Sequence, residues 1–132
     1  MRSALLLLLF VLAASARAQD PAVKQCIDKH PVGAARAQCV TPWLDGIVMR
    51  DGVRAAAGAA ENLVKSGLMN VNDCHLMGHA IGHASWTKEQ DLARAFNACS
   101  LGCIQGCMHG SVEAFMMSAP PAQTTPARVR AF

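Results

Sequence analysis

The stretch Asp73-Cys74-His75-Leu76-Met77-Gly78-His79-Ala80-Ile81-Gly82-His83 sets three histidines at positions i, i+4 and i+8 and two glycines one turn apart. Helical spacing lines such histidines up along one stripe. A second segment answers it, Cys99-x3-Cys103-x3-Cys107-Met108-His109-x3-Glu113, with Gly102, Gly106 and Gly110 interleaved. Of the 5 His and 6 Cys in the chain, four of each fall within these two segments. The pattern points to a site built between two helices.

The glycines supply the energetic reason. Each Gly in a helix interior costs about 1 kcal/mol relative to Ala, so the five represent roughly 5 kcal/mol, comparable to the whole stability of a small domain. Small residues at four-residue spacing let two backbones approach closely, and that contact would bring the His stripe face to face with the Cys-His-Glu segment. The alternative is that the glycines break the last segment into turns.

Outward from this centre, the remaining signals are also helical. Asp20-Pro21 is an N-cap with proline in the first turn, opening a short helix to about Lys29, and His30-Pro31 ends it. Thr41-Pro42 repeats the signal and predicts a helical region from Trp43 to Ser66, bent near Asp51-Gly52 and closed by Gly67. Within it Val53, Ala57, Ala60 and Val64 form a core-facing stripe. A third helix is expected after Asn72 or Asp73, running to about Trp86, and Thr87-Lys88-Glu89-Gln90 has the form of a capping box opening a fourth. A Gly-rich continuation follows from Cys99 to Ser118. Runs of β-branched or aromatic residues long enough for a sheet are absent, and Tyr is missing altogether. The expected class is all-α, a small disulfide-stapled bundle of about four to five helices.

Both ends lie apart from this domain. Met1-Arg2, the apolar run Ala4 to Ala14 and Ala16-Arg17-Ala18 before Gln19 have the form of a cleaved secretory signal over residues 1–18. A membrane span needs about 20 apolar residues, which neither this run nor any later segment provides. The domain is expected over 19–118, and residues 119–132, with three Pro and no periodicity, read as a disordered Pro/Ala-rich tail. The protein is thus expected to be exported, periplasmic or secreted, with no membrane span in the mature chain. Without Arg2 and Arg17 the mature chain has 10 Lys plus Arg against 9 Asp plus Glu, a formal charge of +1, with the basic residues scattered singly. A nucleic-acid backbone binder concentrates them on one face, so nucleic acid is excluded as a partner.

An exported chain with six Cys is expected to be fully oxidised. If Cys99, Cys103 and Cys107 share a helix, one turn separates neighbours and they suit bridges to other parts of the chain. Cys26, Cys39 and Cys74 are the partners available, giving three bridges from the N-terminal part to the C-terminal helices. The competing arrangement closes Cys26 to Cys39, bridges Cys74 to one of the later three and leaves two thiols free.

The histidines have three readings: metal ligands, structural residues, or catalytic groups without metal. Pairs of His, or His with a carboxylate, one turn apart are a standard way for a helix to offer two ligands. The best quartet is His75, His79, His109 and Glu113, with His83 as substitute or supporting partner. Imidazole suits Zn, Cu, Ni and Fe, with Cu or Zn favoured, and nearby Met77, Met108, Met116 and Met117 keep Cu in view. Covalent haem is disfavoured for want of Cys-x2-Cys-His, whereas non-covalent haem on two His is open. Enzyme readings lack their motifs: Leu76 stands where a zincin has its Glu base, and no Cys-x2-Cys occurs. The favoured function is binding, carriage or sensing of a transition metal or metal cofactor. A disulfide-stabilised interaction module with structural His and an unidentified protein partner comes second, and a metal-dependent enzyme third.

The cysteine reading predicts an intact mass about 6 Da below the fully reduced value, two hydrogens for each of three bridges. A mass matching six free thiols would contradict it.

Overall fold

The computed structural model describes residues 20–118, all helix, turn and loop. The expected signal at 1–18 and tail at 119–132 lie outside the described residues. Six α-helices follow in order: α1 (Pro21–Lys29), α2 (Ala34–Asp51), α3 (Val53–Lys65), α4 (Val71–Glu89), α5 (Leu92–Ala98) and α6 (Gly106–Ser118), with a 3-10 turn at Cys103–Gln105 before α6. The all-α, disulfide-stapled class is therefore what the chain adopts.

Local chemistry explains most boundaries. The Asp20 carboxylate accepts the Ala22 N–H at 2.9 Å to open α1, and His30, extended before Pro31, closes it. Asn70 caps α4 in a reciprocal box with Asp73, the two accepting each other's backbone N–H at 2.8 and 3.1 Å. Gly52 separates α2 from α3 at φ +92°, a conformation that favours glycine.

Two expected starts fall differently. Pro42 lies inside α2, which begins at Ala34 rather than near Trp43. An interior proline costs about 3 kcal/mol, offset here by burial of Ala37, Val40, Leu44 and Ile47 on both sides of it. Thr87 to Glu89 close α4 instead of opening a helix: Gln90 turns left-handed at φ +51°, and Asp91 caps α5 by accepting the Arg94 N–H at 2.8 Å. The stripe on α3 is also rotated by one residue, since Ala56 and Leu63 are buried where Ala57 and Val64 are half-buried.

Helix α4 is the axis of the molecule, packing against α2, α3, α5 and α6. Leu44, Ile47 and Val48 of α2, Ala60 and Leu63 of α3, and Met77 and Ile81 of α4 are essentially fully buried together. Arg36 closes the N-terminal end. Its guanidinium donates to the carbonyls of His30 (2.7 Å), Leu68 (2.8 Å) and Ile27 (3.2 Å), so its charge meets carbonyls at and just beyond the ends of α1 and α3.

Against α6 the contact is backbone on backbone. A Cβ built on Gly78 would lie 2.9 Å from Gly106 Cα, and one on Gly82 would strike the Cys107 carbonyl and approach Ser111 N to 2.6 Å. Reciprocally, a Cβ on Gly106 would meet the His75 carbonyl and one on Gly110 the His79 carbonyl. Gly102 is not part of this seam; it faces the Glu61 side chain.

The bridges are Cys26–Cys39, Cys74–Cys103 and Cys99–Cys107, with no free cysteine. Full oxidation is as expected, but the three bridges from the N-terminal part to the C-terminal helices are not formed; the pairs are those of the competing arrangement, Cys26 to Cys39 and Cys74 to one of the later three, with its two free thiols joined as Cys99–Cys107. Cys26 meets Cys39 across the α1–α2 hairpin, and only Cys74 reaches from outside into the C-terminal segment. Cys99 and Cys107 pair because the chain between them is no continuous helix: it leaves α5 at Cys99 and reverses through left-handed Cys103 and Gln105, so that their Cα atoms lie 5.6 Å apart. Three closed bridges fit a chain that matures in an oxidising compartment. No helix of the described residues is long and apolar enough to cross a membrane.

Gly82→Leu and Gly110→Leu should each destabilise the protein by about 3 kcal/mol or more, because the obstructing atoms are backbone and cannot swing aside. Gly58 has nothing within 4 Å of an added Cβ, so Gly58→Ala should stabilise by about 0.5 to 1 kcal/mol. Thermal or urea unfolding reads all three, and a higher melting temperature for both Leu variants would show that no tight seam exists.

Candidate metal centre

The seam decides what the histidines meet. With α6 held against Gly78 and Gly82, the imidazoles of His75 and His79 on α4 face His109 on α6, and one nitrogen from each lies within 4.8 Å of the others. Ring centroids are 4.8 Å apart for His75 and His79, 5.5 Å for His75 and His109, and 5.8 Å for His79 and His109, all edge to face. His75 and His79 are half-buried, whereas His109 is exposed.

The outer ring nitrogens fix how these groups point. His75 Nδ1 lies 3.3 Å from the Cys103 carbonyl oxygen, and His79 Nδ1 lies 3.0 Å from Glu113 Oε2. A carbonyl and a carboxylate only accept, so each Nδ1 carries the proton and donates it. With both rings neutral, each Nε2 presents a lone pair, and the two face each other at 3.2 Å. Two lone pairs repel at that distance; the gap suits a proton shared between the rings or a cation held by both.

Glu113 and His83 stand beside the trio. Glu113 Oε2 accepts from His83 Nε2 at 3.0 Å as well as from His79. The hydrogen bond from His83, then that from His79, holds the exposed Glu113 carboxyl below the usual glutamate range. Across the groove, burial pushes the Asp45 carboxyl of α2 upward, partly countered by the charge of His83. The groove has a volume of about 510 Å³, with Thr41, Asp45, Met49, His83, Thr87 and Glu113 among its lining.

Of the five residues singled out by spacing, three converge and two do not. Glu113 sits against the outer nitrogen of His79, and His83 joins Glu113 rather than the trio. Every thiol is closed in a bridge, and Met77 is fully buried in the core. Spacing gave no sign of the Cys103 carbonyl, because a backbone acceptor leaves no trace in side-chain pattern. Asp45 was also missed, since its place opposite His83 follows only from α2 packing on α4. Comparison of the chain with protein-family models, with curated proteins and with solved structures gives no match.

The direction of the Glu113 shift has a testable sign. A carboxyl whose folded value is depressed stabilises the fold above its ordinary value, and that contribution is lost as pH falls through the depressed one. In metal-free protein, carbon-13 NMR should therefore find Glu113 titrating below the ordinary glutamate range, and His83→Ala should move the midpoint upward. A midpoint at or above the ordinary value in the wild type would contradict the paired geometry.

Proposed function

We propose that this is an exported metal-binding protein that holds one transition-metal ion through His75, His79 and His109. The observation that carries the reading is the pair of inward Nε2 atoms, each with its opposite nitrogen committed to an acceptor. Metal-bound histidines have this arrangement almost always, the outer N–H donating to a carboxylate or carbonyl that fixes the tautomer and raises ligand basicity. The spacing agrees. Two nitrogens at 2.0–2.1 Å from a tetrahedral ion lie about 3.3 Å apart, and here the separation is 3.2 Å.

In this reading Glu113 orients His79 and is not itself a ligand, and His83 in turn steadies Glu113. Three imidazoles leave a fourth position for water or an incoming ligand. An all-imidazole set without thiolate suits Zn or Cu(II). His75 and His79 do not fit as a pair for haem, since they stand one turn apart on one helix with Nε2 atoms 3.2 Å apart and cannot take opposite faces of a macrocycle. Carriage or sensing of the ion suits a centre with one exposed ligand, His109. The Glu113 carboxylate, engaged by two histidines, favours this role over that of a base in a metal-dependent enzyme.

Elemental analysis of protein prepared from its export compartment without chelators should find one equivalent of Zn or Cu. His79→Ala should lose it while circular dichroism stays helical, because three bridges and the α2–α4 core do not depend on that ring. Affinity should fall as the pH is lowered, because protons compete with the ion for the ring nitrogens. Wild-type protein that takes up no metal, with His79→Ala merely less stable, would instead favour a proton-bridged structural trio and an interaction module.

A further inference from the structure

We infer that the Cys74–Cys103 disulfide is a redox gate on this centre, so that a dithiol reductant triggers release of the ion. The inference rests on the metal-binding reading of the trio.

Three features of the molecule join the bridge to the ligands. Cys74 immediately precedes His75 on α4, so one half of the disulfide sits on the backbone of a ligand. The other half, Cys103, supplies the carbonyl that His75 Nδ1 donates to at 3.3 Å. Cys103 is also held at φ +52°, a left-handed conformation unfavourable for a residue with a Cβ. The same carbonyl accepts the Gly106 backbone N–H, so opening the bridge removes one of the two ties on it and leaves the carbonyl freer to turn away. His75 then loses the acceptor that fixes its tautomer and aims its Nε2.

The two residues of the bridge differ in exposure. Cys74 is buried, 4% exposed, whereas Cys103 is half-buried on the 3-10 turn. A reductant thiolate therefore attacks Cys103 Sγ, forming a mixed disulfide and expelling the Cys74 thiolate. The second thiol of the reductant closes its own disulfide and expels the Cys103 thiolate. Two electrons pass to the protein, two protons complete the thiols, and the reductant leaves oxidised. While Cys99–Cys107 stays closed it holds the loop that contains Cys103, which keeps the opening local and reversible.

The test compares two double variants, Cys74→Ser with Cys103→Ser and Cys26→Ser with Cys39→Ser, by competition for Zn(II) with a chromogenic chelator. Serine removes the bridge without leaving thiols that would bind zinc themselves. Loss of an outer partner of a metal-bound histidine weakens binding about 10- to 100-fold. That loss is expected for the first variant, with wild-type affinity for the second. A wild-type measurement does not depend on a variant folding: zinc-loaded protein is reduced stepwise with a phosphine, alkylated and mapped by mass, and zinc release should track alkylation of Cys74 and Cys103. Wild-type affinity in the first variant, or zinc retained after both cysteines are alkylated, would overturn the gate and leave the metal site standing. Wild-type protein that binds no zinc would overturn both.

Discussion

Close approach of the α4 and α6 backbones is the constraint on which everything else rests. Helices that meet through ordinary side chains keep their axes 8–10 Å apart, roughly; glycine at 78, 82, 106 and 110 removes the side chains that would hold these two apart. Gly78, Gly82 and Gly110, inside their helices, forfeit about 3 kcal/mol of helix propensity. Burial of Met77, Ile81, Cys107 and Phe115 works against that loss, as does the Cys74–Cys103 bridge. Ser111 belongs to the same seam. It is fully buried, and its hydroxyl lies 3.0 Å from the Cys107 carbonyl and 3.3 Å from that of Gly82. Moving the helices a few ångström apart would take His109 and Glu113 out of reach of His75 and His79.

Seen from this seam, the polar groups form an ordered series rather than a loose cluster. The Cys103 carbonyl directs His75, Glu113 directs His79 and is itself held by His83, and Asp45 faces His83 across the groove. Acceptors lie on the outside and lone pairs point inward. That polarity leaves the gap between His75 and His79 to a shared proton or to a cation held by both rings.

The helical class, the start of α1 and the meeting of the two His-bearing segments were legible because each has a local or periodic cause. Asp20-Pro21 is a cap wherever it occurs, and glycines at four-residue spacing in both partners imply contact between them. What was not legible depends on packing. Pro42 reads as a helix start until burial of Ala37 and Val40 carries α2 back to Ala34. The cysteine pairing misled for a related reason: spacing of four suggested one helix through Cys99, Cys103 and Cys107, whereas Cys103 and Gln105 turn left-handed and fold Cys99 back onto Cys107. At the site, spacing singled out five side chains, of which His75, His79 and His109 converge, but not which nitrogens face inward, since that is set by a carbonyl and a carboxylate brought in from elsewhere in the fold.

The orientation of those nitrogens is the central claim, and long-range proton–nitrogen NMR of the imidazoles reads it directly. In metal-free protein His75 and His79 should both appear with the proton on Nδ1. One equivalent of Zn(II) should shift the Nε2 resonances of both, together with one ring nitrogen of His109, and leave the nitrogens of His83 outside the coordination shell. Zinc that shifts none of these three histidines, or that binds His83 and Glu113 in their place, would contradict the account.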